Sequence, residues 1–108
     1  MNYRKITAII PTQSLDEVEK KLASIGVPGM TVTKVKGYGD YRNFYAKDTM
    51  SDCSRVEIFI EVDKAKQIVN AIASTVHQGM NTNGVIAILP VEEFMHIREF
   101  KEDKNNDE

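Results

Sequence analysis

The residues whose type and spacing best suit ligand binding are two glycines, Gly37 and Gly39, at the end of the segment GMTVTKVKGYG. Glycine carries no side chain, so a strand that ends on glycines lets its backbone N–H groups approach a ligand closely. The polar segment DYRNFYAKDTMSDCS, residues 40–54, follows directly. Two glycines at a strand end more often form a simple turn. Together with the polar segment, they predict a pocket wall beside a mobile loop.

Residue types that catalyse reactions are present but are not grouped along the chain. His77 lies in a predicted helix and His96 follows the last predicted strand, and no nucleophile is placed near either one. Each histidine is more typical of a surface or a subunit contact. Cys53 has no neighbouring cation in the sequence that would lower its pKa, which favours a plain exposed thiol. The chain is therefore predicted not to be an enzyme.

Three acidic residues, Asp40, Asp48 and Asp52, stand close together in the polar segment and offer oxygen ligands for a cation. Acids in a polar loop are usually solvated, so we predict no metal site.

Composition limits the class of protein. The 108 residues are enough for one domain with a modest core, and 42% of them are hydrophobic, which leaves apolar surface for an oligomer to cover. A net charge of −2 lacks the basic surplus that nucleic-acid binding requires. No apolar run reaches the ~18 residues of a membrane span, and the start MNYRKITAII lacks the apolar core of a signal peptide. We therefore expect a cytoplasmic protein that neither binds nucleic acid nor inserts into a membrane.

The elements that must position these residues alternate between strand and helix patterns. The first helix is predicted from a Ser14–Glu17 capping box to Gly26, and the second from an Asp63 N-cap to Gly79. Strands are predicted at residues 4–10, 30–37, 55–62 and 84–89.

The order βαββαβ predicts an α+β, ferredoxin-like fold, with two helices on one face of a four-stranded antiparallel sheet. Strands one and four carry apolar residues on both faces, so we expect the open face to be covered by self-association. RNA-binding modules share this strand order but need aromatic platforms on a basic sheet, and RVEIFIEV offers only Phe59 among acids.

Two long segments, AIIPTQSLDEVEKKLASIGVPGMTVTKVKGYG and NGVIAILPVEEFMHIR, resemble the PII signal-transduction family, and the resemblance covers residues 3–98. It implies a PII-like domain at residues 1–98, a T-loop at 39–54 and a charged, disordered tail at 99–108. It also implies a homotrimer that binds adenine nucleotide in clefts between neighbouring subunits.

The resemblance also implies where the nucleotide binds. The strand-side wall of the site corresponds to Ile9, Gly29, Met30, Thr31, Gly37, Tyr38 and Gly39, and Phe59 offers backbone polar groups to the adenine. Asp40 follows the second glycine of this wall. The phosphate-binding elements correspond to Thr82, Asn83, Gly84, Val85, His96 and Arg98.

Several of these positions depart from the family's pattern. Val85 replaces a lysine, His96 replaces an arginine, and Asp40 and Tyr41 stand where nitrogen-sensing members carry Arg and Gln. Each lost charged contact to phosphate removes ~1.5–3 kcal/mol. We therefore expect ADP or AMP to bind at least as well as ATP.

The resemblance implies a regulatory function. Adenine nucleotide would order the T-loop, which would then bind or release a target protein. The shortened loop indicates a membrane transporter, most of all one for bicarbonate, as the target, with bicarbonate as co-ligand. The alternatives are a nitrogen-regulatory PII-type sensor and a trimeric scaffold whose nucleotide site has decayed.

Overall fold

The computed structural model describes residues 2–37, 51–80 and 82–102. Its elements are β1 (Tyr3–Pro11), α1 (Leu15–Ser24), β2 (Thr31–Gly37), β3 (Ser51–Glu61), α2 (Val62–His77) and β4 (Val85–Val91). Short 3-10 turns at Thr12–Ser14 and Ile97–Glu99 precede α1 and follow β4. The predicted order βαββαβ is confirmed.

The four strands form one sheet in the order β2-β3-β1-β4, with every neighbouring pair antiparallel. The central strand β1 sets the register, since Ile6 lies opposite Ile58 on one side and Ile88 on the other. This is the ferredoxin-like arrangement, and the predicted fold class is confirmed.

The core lies between one face of this sheet and the two helices. Strand residues alternate between faces, so the apolar residues at alternate positions of β1 and β3 point toward the helices and are buried, as are Val18 and Leu22 of α1. The core residues from the sheet and α2 are Ile6, Ala8, Ile10, Val56, Ile58, Ile60, Ala65, Ile68, Ala71, Ile72 and Val76. The apolar periods predicted both helix faces correctly.

The helix starts differ from the predictions. Ser14 is buried and has helical dihedral angles (φ −89°, ψ −7°) with no side-chain capping bond, because the turn Thr12–Ser14 already begins the helical path. The predicted capping box is therefore wrong. The second helix begins at Val62 with Glu61 as N-cap, which places Asp63 inside its first turn. Gly26 does end α1 as predicted, at φ +85°.

Strand β3 begins four residues earlier than predicted, at Ser51, where it pairs with Gly37. Residues 51–54, predicted as loop, therefore lie in the strand. The rest of the predicted T-loop, residues 39–50, lies outside the described residues, as do residues 103–108 of the predicted tail.

The face of the sheet that the helices leave uncovered, here called the open face, is more mixed than expected. Val85 and Leu89 of β4 are 40% exposed there, in agreement with the predicted apolar surface. Its centre, however, holds Lys5 opposite Phe59 and the ion pair between Lys5 and Glu57. Apolar character is thus concentrated on β4 and at Phe59.

Candidate functional site

The first candidate site is a cavity at the end of β3. Pairing between β2 and β3 stops at Thr31 opposite Glu57, but β3 continues to Glu61. The backbone edge beyond Glu57 is therefore not used by β2, and it borders a cavity of about 330 Å³. The lining combines aromatic rings and polar side chains: Tyr3, Phe59, Phe94, His96, Glu61, Lys64 and Gln67, with the turn 25–28 opposite.

Four rings on this cavity form an aromatic cluster: Tyr3, Phe59, Phe94 and His96. Phe94 stacks on Tyr3, with ring centroids 4.2 Å apart and planes inclined by 18°. It also meets Phe59 at 5.5 Å and the edge of His96 at 5.0 Å, with an interplanar angle of 84° for His96. The cluster thus joins β1, β3 and the segment after β4.

A charged pair borders the aromatic cluster on the open face. Lys5 Nζ lies 2.9 Å from Glu57 Oε2 and 5.9 Å from the centroid of the Phe59 ring. The hydrogen bond from Lys5, together with the positive charges of Lys5 and Arg55, holds the pKa of the Glu57 carboxyl below its usual range despite partial desolvation. Glu57 is therefore a carboxylate at neutral pH and presents an acceptor beside Thr31.

The second candidate site is the turn before β4. Gly84 has φ +142°, and a Cβ built on it would lie 2.5 Å from the carbonyl oxygen of Ile9. Only glycine lets the turn approach β1 this closely. The turn borders a cavity of about 320 Å³, which is lined by Ile10, Ala73, Val76, His77, Thr82, Asn83, Gly84, Val85 and Ile86.

Cys53 differs from its prediction as an exposed thiol. It is 2% exposed, because it lies in β3 between Pro11 of β1 and Val35 of β2. Burial, and secondarily the charge of Asp52, raises the pKa of the Cys53 thiol. The thiol is protonated at neutral pH, which makes it a weak nucleophile.

The structure separates the predicted nucleotide residues into two groups. Phe59 and His96 line the cavity at the end of β3, whereas Ile9 contacts the turn that carries Thr82, Asn83, Gly84 and Val85. Thr31 begins β2 beside the first group.

The remaining predicted residues lie elsewhere. Gly29 and Met30 border a smaller cavity against α1, Gly37 ends β2, and Arg98 is exposed in the last 3-10 turn. Tyr38, Gly39 and Asp40 lie outside the described residues.

Sequence reasoning missed Tyr3, Lys5 and Phe94. Tyr3 and Phe94 lie near opposite ends of the chain, so no local spacing indicates their contact. Lys5 and Glu57 could have been paired only with the strand register, which places them on adjacent strands and the same face.

Comparison with known proteins decides the family. The profile of the family described as "Nitrogen regulatory protein P-II" matches residues 3–101. The chain belongs to the PII family. It is 33% identical over 103 residues to the nitrogen regulatory protein P-II of Azospirillum brasilense, covering 88% of this chain and 91% of that protein. It is 34% identical over 107 residues to nitrogen regulatory protein P-II 1 of Escherichia coli, covering 93% and 96% of the two chains.

A solved PII structure supports the same assignment. The PII protein of Arabidopsis thaliana bound to citrate superposes with a TM-score of 0.77 at 25% identity, covering 96% of this chain and 91% of that one. PII-family proteins are signalling regulators that bind adenine nucleotides and interact with target proteins; they are not enzymes.

Two further properties concern only the described part of the chain. No helix there is long and apolar enough to cross a membrane. Within residues 2–37, 51–80 and 82–102, no group of three His, Cys, Asp or Glu side chains is arranged to hold a metal ion.

Proposed function

We propose that this PII-family chain binds adenine nucleotide between the subunits of a homotrimer, and that the bound nucleotide controls its interaction with a target protein. The observation that carries the proposal is the backbone edge of β3 beyond Glu57, which β2 leaves unused beside a cavity of about 330 Å³. That volume falls within the usual range of small-molecule pockets.

The cavity suits a purine base. A base presents ring nitrogens and an amino group at its edge, which match backbone N–H and C=O groups such as those of Phe59 to Glu61. The rings of Phe59 and Phe94 supply apolar surface, and Thr31 and the carboxylate of Glu57 lie at the end of the β2 pairing. This arrangement supports assigning the base to this cavity.

The distance between the two candidate sites supports an intersubunit location. The base cavity includes Tyr3, whereas the Gly84 turn contacts Ile9, six residues further along β1. At ~3.3 Å per residue these points are ~20 Å apart, too far for one mononucleotide to join within a chain. A turn from a neighbouring subunit can approach the base cavity in a cyclic assembly.

The open face supports self-association. Val85, Leu89 and Phe59 are 40%, 40% and 45% exposed on it, which is unusual for large apolar side chains gathered on a monomer. The proposal predicts a trimer mass in light scattering at micromolar concentration, and a monomer mass there would contradict it.

We expect the protein to bind the phosphate groups of the nucleotide weakly. With Val85, His96 and Asp40 at positions where relatives carry cations, Arg98 is the main candidate for a phosphate contact. Calorimetric titration with ATP, ADP, AMP and cyclic AMP tests this, and ADP or AMP should bind at least as well as ATP.

Arg98→Ala should weaken ADP by ~1.5–3 kcal/mol through loss of a charged hydrogen bond. Lys101→Ala, which removes a nearby exposed cation, is the matched control and should change little. A clear preference for ATP, or an Arg98→Ala variant with unchanged affinity, would contradict the assignment.

For the target, we propose a membrane transporter, most of all one moving bicarbonate, which a cytoplasmic PII-like protein would contact through the predicted T-loop. The similar proteins of Azospirillum brasilense and Escherichia coli are nitrogen regulatory proteins, which favours the second candidate, a nitrogen-regulatory sensor. Titrating ADP in the presence of bicarbonate or of 2-oxoglutarate separates the two, since a true co-ligand and ADP must tighten each other equally. Dependence on 2-oxoglutarate alone selects the nitrogen sensor, and no binding of any nucleotide selects the scaffold.

A further inference from the structure

The segment 92–100, which follows β4 and includes the last 3-10 turn, is attached to the sheet in an unusual way. β4 ends at Val91, and among the described residues no backbone hydrogen bond joins residues 93–95 to the sheet. Three of the segment's large apolar side chains, Met95, Ile97 and Phe100, are 59%, 85% and 60% exposed. They cannot hold the segment in place.

Phe94 is the apolar side chain of this segment that does contact the sheet. Its ring stacks on Tyr3 of β1 and meets Phe59 of β3, so it is held from two strands at once. Aromatic pairs at these separations are favourable beyond the area that they bury. The ring of Phe94 therefore anchors the backbone on both sides of it.

The position of the residues after Phe94 depends on the position of its ring. His96 packs edge-on against the Phe94 ring at 5.0 Å. The following turn is closed by its own bonds, from Glu99 N to His96 O and from Phe100 N to Ile97 O, both 2.9 Å. The turn thus moves with His96 and carries Arg98 with it.

We propose that Phe94 is a positioning residue of the nucleotide site, which holds His96 on the base cavity, and through His96 the turn that carries Arg98, by its contacts with Tyr3 and Phe59. This inference rests on the proposed nucleotide function. It adds a residue that itself need not touch the phosphates, and it assigns the aromatic cluster a function in binding as well as in stability.

The test is a calorimetric ADP titration of Phe94→Leu, which keeps an apolar side chain but removes the ring. We expect ADP to bind about tenfold more weakly, because two ring contacts that orient the segment are lost. Phe100→Leu removes an exposed ring from the same segment and should change affinity by less than about twofold. Phe94→Tyr keeps the ring and should restore affinity.

A double-mutant cycle distinguishes positioning from general destabilisation. If Phe94 acts through the segment that it anchors, Phe94→Leu should have little further effect in an Arg98→Ala, His96→Ala background, whereas independent effects would add. Circular dichroism and the trimer mass verify that each variant is folded and assembled. Hydrogen exchange of residues 93–99 should also be faster in Phe94→Leu without nucleotide.

The outcomes are separable. Saturable ADP binding to the wild type with unchanged affinity in Phe94→Leu, or additive losses in the cycle, would overturn this inference and leave the proposed function standing. Absence of nucleotide binding to the wild type would overturn the proposed function, and this inference with it.

Discussion

The two faces of the sheet differ in the types of residue that they carry and in how far those residues are buried. The face under α1 and α2 is aliphatic, and Ile6, Val56 and Ile58 on it are at most 1% exposed. The open face places aromatic rings, an ion pair and half-exposed aliphatic side chains on the same strands. The first face satisfies the folding of one chain, whereas the second leaves groups that only a ligand or another subunit can use. Under the proposed function, alternate residues of one strand therefore serve stability and binding separately.

The largest effect should follow from damage to the helix-covered face. Ile58→Ala removes a buried aliphatic group and leaves a cavity, so we expect the free energy of unfolding to fall by about 2–5 kcal/mol. Leu89→Ala on the open face is the matched control and should cost about 1 kcal/mol or less within the subunit, since Leu89 is 40% exposed there. Any further cost comes from the proposed trimer contact and should depend on protein concentration. Urea unfolding measures both, and equal losses would abolish the distinction between the faces.

The next effect concerns the glycine turn against β1. Gly84→Ala would place a methyl group 2.5 Å from the Ile9 carbonyl oxygen at φ +142°, so we expect a loss of about 1–3 kcal/mol in stability together with weaker ADP binding. Gly29→Ala is the control, because nothing lies within 4 Å of a Cβ there. Thermal unfolding of the two variants measures the difference, and a Gly84→Ala variant as stable as wild type would show that the turn does not pack tightly against β1.

A smaller effect should appear in the pH dependence of the Lys5–Glu57 pair. The folded pKa of Glu57 lies below its ordinary value, which is about 4.3 in model peptides. The pair therefore stabilises the protein above that pH and loses its contribution as the pH falls through the folded pKa. Glu57→Gln should therefore be less stable than wild type at pH 7, and the difference should be smaller at pH 3. Glu61→Gln, from a more exposed pair with Lys64, should differ less from wild type at both pH values.

A deficit of Glu57→Gln that persists unchanged at pH 3 would show that the carboxylate charge is not what stabilises the open face.

The smallest effect on the fold concerns the reactivity of the Cys53 thiol, at the end of the sheet where β3 lies between β1 and β2. Because burial raises the pKa of the Cys53 thiol, native protein at pH 7 should react with a disulfide reagent far more slowly than protein unfolded in guanidinium. If Cys53 of the native protein reacted as fast as in the unfolded protein, this end of the sheet would have to open readily.

The sequence predicted the buried face well because alternation in RVEIFIEV and the helical period of Ile68, Ile72 and Val76 are local signals of burial. It predicted Cys53 wrongly because burial there depends on strands at Pro11 and Val35. The Ser14–Glu17 capping box and the Asp63 N-cap were wrong, because the turn Thr12–Ser14 already begins the helical path and α2 begins one residue earlier, at Val62. The aromatic cluster could not be predicted, because its rings come from β1, β3 and the segment after β4. Only the strand register and the path of the chain after β4 bring them into contact.

Mixed trimers test whether the proposed nucleotide site is shared between subunits. Arg98→Ala chains and Gly84→Ala chains, each deficient in ADP binding alone, would be unfolded, mixed in equal amounts and refolded, and ADP binding measured by calorimetry. If Arg98 and Gly84 come from different subunits, about a quarter of the sites regain wild-type affinity. Random assembly of equal amounts of the two chains gives that fraction of sites an intact Arg98 from one subunit and an intact Gly84 from its neighbour. If the mixture binds no better than its components, the site lies within one chain, which contradicts a site shared between subunits.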